Sequence, residues 1–357
     1  MDKVTLALTK RLIRVRSDPG AISSLRHALH IAVSSLTGFT VERFERNSSP
    51  SALIYASSRR PRRFRIILNG HLDVIPGKPA QYTPVILRNR LYGVGAMDMK
   101  ANVAVLIKVF REVARQVNYP LGLQLVTDEE TGGFDGTAYQ ISRGVQADFI
   151  IAGESTGFHI AHRAKGVLWL RITCKGRTAH GAYPWRGENA VSKMLRFVRR
   201  LEEQFPNPSR NSQQTTINVS RIETSNTSLN KVPDDCSVFL DLRFVQESSA
   251  VVLKKVRDLL PAGFCIEVLA HEQALDTPRG SPYVRELRRV TQRLRKRTCR
   301  LYTAQGTSDA RHYMLAKGAG VEFGPIGGGI GTDNEWVSIP SLLQYEKILR
   351  TFLLMRW

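Results

Sequence analysis

Residues 63–74 read RFRIILNGHLDV. A run of branched apolar side chains, Ile66, Ile67 and Leu68, gives way to Asn69 and Gly70, then to His71 and Asp73. An uninterrupted apolar run closed by a polar cluster is what a strand buried on both faces of an α/β sheet looks like. Ligands bind such sheets beyond the carboxyl ends of the strands, where His71 and Asp73 fall. The same form returns in LGLQLVTDEE (121–130) and ADFIIAGES (147–155). Between the first two runs, KANVAVLIKVFREVARQV (100–117) has the apolar spacing of a helix. Helices over 3–16 and 21–37 and a strand FTVERFE (39–45) precede them.

From residue 165 the pattern changes. GVLWLRITCKG (166–176) alternates as a half-exposed strand, and NAVSKMLRFVRRLEEQF (189–205) reads as a helix. TTINVSRIETS (215–225) and CSVFLDLRFV (236–245) are further strands, followed by a helix over 248–260 and a strand CIEVLA (265–270). After residue 272 the α/β style returns and ends on a helix in SIPSLLQYEKILRTFLLMRW (338–357). We therefore expect one domain built from residues 1–164 and 273–357, with an antiparallel α+β domain over 165–272 inserted into it.

At 357 residues the chain has ample length for two cores, and 42% hydrophobic with 23% charged residues is an ordinary globular composition. The N-terminal stretch has no uninterrupted apolar segment of the signal-peptide kind, and no stretch approaches a membrane span. Cys174, Cys236, Cys265 and Cys299 form no CxxC pair and read as reduced thiols of a cytoplasmic protein. Fifty-two Lys and Arg against 31 Asp and Glu leave a formal charge of +21, concentrated in 58–65, 196–200 and above all 284–300. No nucleic-acid motif or aromatic interleaving accompanies these arginines, so they read as solvated faces; neither a nucleic acid nor a membrane is expected as partner.

Four short motifs carry chemistry. NGHLDVIPG offers His71 and Asp73, which at i, i+2 of an extended segment point to one side, a ligating imidazole beside a supporting carboxylate. GVGAMDMK offers Asp98 between a glycine-rich turn and a helix. VTDEETGG offers Glu129 and Glu130, whose side chains diverge, so one can hold a metal while the other handles a proton. IAGEST offers Glu154. One histidine with several carboxylates suits a pair of zinc-like ions.

The ordered set GHLDV, GAMDMK, DEETGG, GES, GRTAHGAYPWRGENA, NKVP, DLR, TSDAR and NEWV spans nearly the whole chain. It closely resembles the acetylornithine deacetylase, succinyl-diaminopimelate desuccinylase and carboxypeptidase G family, two-zinc hydrolases of amide bonds next to a free carboxylate. The resemblance implies an α/β, zinc-exopeptidase-like mixed sheet flanked by helices, with the insert serving as a dimerisation or lid domain. It implies that His71, Asp98 and Glu154 hold one metal, that Asp98 bridges to a second held also by Glu130, and that Asp73 orients His71. Glu129 would be the general base. His180 would reach the partner subunit's site and stabilise the oxyanion, and Asn230, Arg243 and Arg311 would position substrate. For Arg243 a place on a strand surface is the equal alternative. Zn2+ is the implied cofactor, with Co2+ or Mn2+ as substitutes. A homodimer acting in the cytoplasm on an N-acyl amino acid, of the succinyl-diaminopimelate or acetylornithine type, or on a small peptide is the implied function.

The last motif departs from the pattern. The family carries a histidine four residues before the glutamate of NEW, and here that position is Gly331. Three explanations stay open: loss or weakening of the second metal, deliberate replacement, or another donor such as Asp333, His312 or water. The other class of function left open is a weak or inactive homologue acting as a dimeric binding protein, its basic surface contacting an acidic partner.

Overall fold

The computed structural model of the chain describes residues 2–210 and 212–357. They divide into two compact units, one running to Arg163 and resuming over Leu275–Ala304 and Ser308–Trp357, the other comprising Ala164–Ala274 with Gln305–Thr307.

The first unit is α/β, built on a nine-stranded mixed sheet. Its strands lie in the order Thr40–Arg46, Ser49–Tyr55, Leu121–Val126, Phe64–His71, Ala147–Ala152, Ala319–Glu322, Ile160–Ala164 and Leu275–Asp276, with Leu301–Ala304 alongside Ile160–Ala164. The strand Phe64–His71 runs parallel to both Leu121–Val126 and Ala147–Ala152, with His71 opposite Val126 and Asn69 opposite Ala152. Ala319–Glu322 extends the parallel block, with Glu322 opposite Ala152. In this block the carboxyl ends therefore finish together, and the loops that follow carry Asp73, Glu129, Glu130 and Glu154.

The helix Lys100–Val113 packs against the sheet and against the terminal helices Lys3–Arg14 and Ile339–Leu353. Val103, Leu106, Ile107 and Phe110 are buried on it, each contributing about 1.5–3 kcal/mol by leaving water. The basic segment forms the helix Pro282–Arg295, with Val284, Leu287 and Val290 buried. It stops at Lys296, which takes a left-handed φ of 51°, earlier than the charge run itself. The strand Ser49–Tyr55 has no counterpart in the sequence reading. Pro50 and two serines hide it, but a place between two partners buries Ser51 through Tyr55.

A separate small sheet pairs Gly327–Gly328 with Trp336–Ser338, then Arg90–Tyr92 and Val85–Leu87. It closes the turn over 329–335 and sets Trp336 opposite Tyr92.

The second unit is an antiparallel sheet in the order Thr216–Glu223, Asp235–Phe244, Gly166–Lys175, Phe264–Glu272. The helices Ala190–Gln204 and Ser249–Asp258 join it in one core through Met194, Phe197, Leu201, Val252 and Val256 against Leu168, Leu170, Leu240 and Leu242. The four cysteines are free, and three of them are buried. No helix among the described residues is long and apolar enough to cross a membrane.

Candidate metal and hydrolytic site

His71 ends its strand fully enclosed by the sheet. Its Nδ1 lies 3.0 Å from the carbonyl oxygen of Asp73 and 3.5 Å from the Asp73 carboxylate. A proton on Nδ1 is thus shared within one residue, nearer the carbonyl than the side chain on which the i, i+2 spacing fixed attention. Nε2 faces the other way, 3.0 Å from Asp98 Oδ1 and 3.9 Å from Glu154 Oε1. One ligand atom from each of His71, Asp98 and Glu154 lies within 4.8 Å of the others. An imidazole nitrogen and two carboxylates converging in this way fit the donor set of a zinc-like ion.

The electrostatics are those of an acid-rich site. Burial favours a neutral His71, but hydrogen bonds to Asp73 and Asp98, with their charges, hold its pKa well above the ordinary value. Burial pushes the Glu154 carboxyl well up, with the Asp98 charge adding to it. Glu129 is half-buried by surface exposure, yet desolvation leads the causes that raise it well above a normal carboxyl, with Asp309, Asp98 and Asp73 contributing against His71. Glu130 is pushed up to about 7, first by burial and then, against His71, by Asp98 and Asp73. Such raised carboxyls are what a bound cation would reverse.

Glu129 and Glu130 sit on a short 3-10 turn, Glu129–Thr131, directly after the strand Leu121–Val126. The Glu130 N–H donates to Asp73 Oδ2 at 2.9 Å, so Asp73 ties the histidine segment to this turn. The Asp128 carboxylate receives the N–H groups of Asp135 and Gly136 at 2.7 and 2.9 Å, closing the loop behind it.

Asp98 is placed by a residue the sequence reading used only for counting. The Glu335 carboxylate accepts from the N–H groups of Gly95, Met97 and Asp98 at 3.0, 2.7 and 3.0 Å. The small sheet delivers it there. The signal available in advance was the position of an acid directly before the buried Val337 strand, which gives no hint of its target.

Gly331 lies exposed with φ +65°, and a Cβ there would meet only Ile75 Cδ1, at 3.6 Å. The backbone N–H of Ile75 also favours the charged form of the Glu130 carboxyl, so position 331 and Glu130 flank the same residue. Of the substitute donors, Asp333 is paired with Lys78 at the surface. His312 is buried with Nε2 3.0 Å from the Gly132 carbonyl. Arg311 is buried and donates to the carbonyls of Ser308 and Gly132 at 2.8 and 2.6 Å.

The remaining sequence candidates lie in the second unit. His180 is exposed, and its Nδ1 accepts the Ala182 N–H at 3.1 Å. That bond leaves the proton of the neutral ring on Nε2. Asn230 is its neighbour, since Gly181 N–H donates to the Asn230 carbonyl at 2.6 Å. Arg243 is engaged on its own strand, making a two-pronged pair with Asp241 at 2.7 and 3.1 Å.

A model of the peptidase family M20/M25/M40 matches residues 67–355. A curated relative, succinyl-diaminopimelate desuccinylase of Pelagibacter ubique, is 28% identical over 96% of both chains. Among solved structures, aminopeptidase PepT from Bacillus cereus superposes with a TM-score of 0.79 at 19% identity, covering 98% of this chain and 97% of that one. The Bacillus subtilis YXEP protein, described as a dinuclear metal binding peptidase of the M20 family, does so at 0.68 and 12% identity, covering 98% of each chain.

Proposed function

This chain belongs to the peptidase family M20/M25/M40 and is a hydrolase, and on that basis we propose that it cleaves the amide bond of an N-acyl amino acid, of the succinyl-diaminopimelate or acetylornithine type, or of a small peptide with a free carboxylate. The convergence of His71, Asp98 and Glu154 within 4.8 Å, beside the half-buried Glu129, is the observation that carries this reading. These three residues would hold one Zn2+, with Co2+ or Mn2+ as substitutes, and Asp98 with Glu130 would serve a second. The chemistry such a metal contributes when bound is polarisation of a carbonyl and acidification of water.

The rest falls to the chain itself. Glu129, half-buried on the turn that directly follows the strand Leu121–Val126, takes a proton from the attacking water and returns it to the leaving amine. Asp73 holds the His71 ring through Nδ1, leaving Nε2 for the metal. His180, with its proton on Nε2, donates to the developing oxyanion, acting on the partner subunit's site in a homodimer. Asn230 and Arg243 receive the substrate, Arg243 by exchanging Asp241 for a substrate carboxylate. The insert acts as the dimerisation and lid domain, and the protein works in the cytoplasm.

Gly331 favours a second reading, a weak or inactive dimeric binding protein whose basic surface meets an acidic partner. Metal content by elemental mass spectrometry, after equilibration with zinc and removal of the excess, separates the two together with hydrolysis of N-succinyl and N-acetyl substrates. We expect one tightly held ion in the chain carrying Gly331, two in Gly331→His, and faster hydrolysis in that variant that Glu129→Gln abolishes. Two ions in Gly331→His without hydrolysis of any such substrate would support the binding protein instead.

A further inference from the structure

Resting on the reading of Glu129 as the base, we infer that Arg311 and His312 are positioning residues that together hold the Gly132 carbonyl and, through it, the turn presenting Glu129 and Glu130.

The geometry is specific. Arg311 Nη2 and His312 Nε2 converge on that single carbonyl oxygen at 2.6 and 3.0 Å. A carbonyl only accepts, so the His312 ring carries its proton on Nε2. Burial, with Arg311 beside it, pushes the His312 pKa down to about 3, so the ring remains a neutral donor across the working range. The neighbouring Asp309 takes the Thr137 hydroxyl on Oδ2 at 2.6 Å, gripping the far end of the same loop. Phe134 places its ring 5.8 Å from that of His312. Within the turn, Gly132 N–H bonds to the Glu129 carbonyl and Gly133 N–H to the Asp128 carbonyl. A shift of Gly132 therefore moves Glu129 directly. Gly133 is the residue that lets the two segments close: a Cβ there would stand 1.9 Å from Asp309 Oδ1 and 3.0 Å from His312 Nε2. The segment TSDARH thus acts on the reaction from behind the acids. For Arg311 this replaces contact with substrate by contact with the loop that carries the base.

Hydrogen exchange, read on the intact protein, tests the clamp without turnover. In His312→Leu and Arg311→Lys, the amides of Thr131, Gly132, Gly133, Asp135 and Gly136 should exchange at least about ten-fold faster than in the unsubstituted chain, while amides of the strand Asp235–Phe244 keep their rates. His312→Gln, which retains an N–H donor, should restore most of the protection. Should His312→Leu fail to fold, Arg311→Lys carries the comparison. Turnover, measured in the Gly331→His background, should show kcat reduced at least about ten-fold with KM within about two-fold. Unchanged exchange in the turn would overturn the proposal, and so would a rise in KM at constant kcat for Arg311→Lys, which marks a substrate contact. Glu129→Gln tests the base assignment by itself, so its failure is visible separately.

Discussion

Gly133 and Gly157 both sit in the left-handed region, at φ +66° and +62°, but in different surroundings. Replacing either by alanine incurs the same backbone cost, about 1–2 kcal/mol for an L-residue placed there. At Gly157 nothing lies within 4 Å of the new Cβ, so the cost ends there. At Gly133 the Cβ would overlap Asp309 Oδ1 at 1.9 Å and press on Asp309 Cγ and His312 Nε2, each at 3.0 Å. Asp309 is buried with its other oxygen bound to Thr137, so it cannot turn aside while keeping that bond. Overpacking adds about 1–3 kcal/mol, and a broken hydrogen bond about 1 more. We expect Gly133→Ala to lose roughly 3–6 kcal/mol against about 1–2 for Gly157→Ala. Urea unfolding followed by circular dichroism, with the slope compared between variants, measures the difference. A pair of variants within about 0.5 kcal/mol of each other would refute the argument that the two segments meet through Gly133.

Three further outcomes follow from particular residues. His312 has its pKa lowered in the fold to about 3 from 6.5, so the unfolded chain binds the extra proton between those values and stability rises with pH across that window. Between pH 6.5 and 4 this group alone should remove roughly 3 kcal/mol, and acid-denaturation curves of His312→Gln should show a correspondingly shallower fall; an equally steep fall would exclude it as the cause. Glu335→Ala removes the acceptor of three N–H groups, those of Gly95, Met97 and Asp98, and should lower stability by about 3 kcal/mol. It should also speed the loss of added Zn2+ to a chelator because Asp98 loses its anchor, and an unchanged off-rate would show that Asp98 holds its place without Glu335. Gly331→Ala should cost only about 1–2 kcal/mol in a thermal melt, since its Cβ meets nothing nearer than Ile75 Cδ1 at 3.6 Å; a larger loss would mean that the turn depends on glycine for packing.

The long apolar runs were legible because their cause is local. Ile66–Leu68, Leu121–Val126 and Phe149–Ile151 are apolar whatever surrounds them, and a strand covered on both faces is the arrangement that buries such runs. The acids and the histidine at their ends were legible as a set because parallel strands finish together, so the order of motifs already places His71, Glu129, Glu130 and Glu154 at one edge. The strand Ser49–Tyr55 was not, because its burial depends on neighbours contributed by Thr40–Arg46 and Leu121–Val126 rather than on its own composition.

Taken alone, the sequence determined the α/β class, the family and the absence of a histidine at position 331, since each depends on residue identity and order. Direction and contact needed the folded chain. Asp73 offers its carbonyl to His71 and its carboxylate to the Glu130 N–H, which no spacing rule anticipates because the strand ends at His71. Glu335, 237 residues after Asp98, holds the Asp98 amide, and Arg311 and His312 reach back to Gly132 across 179 and 180 residues. Hydrogen bonds span about 3 Å, so partners this far apart along the chain meet only after the sheet, the small sheet and the terminal helix have packed.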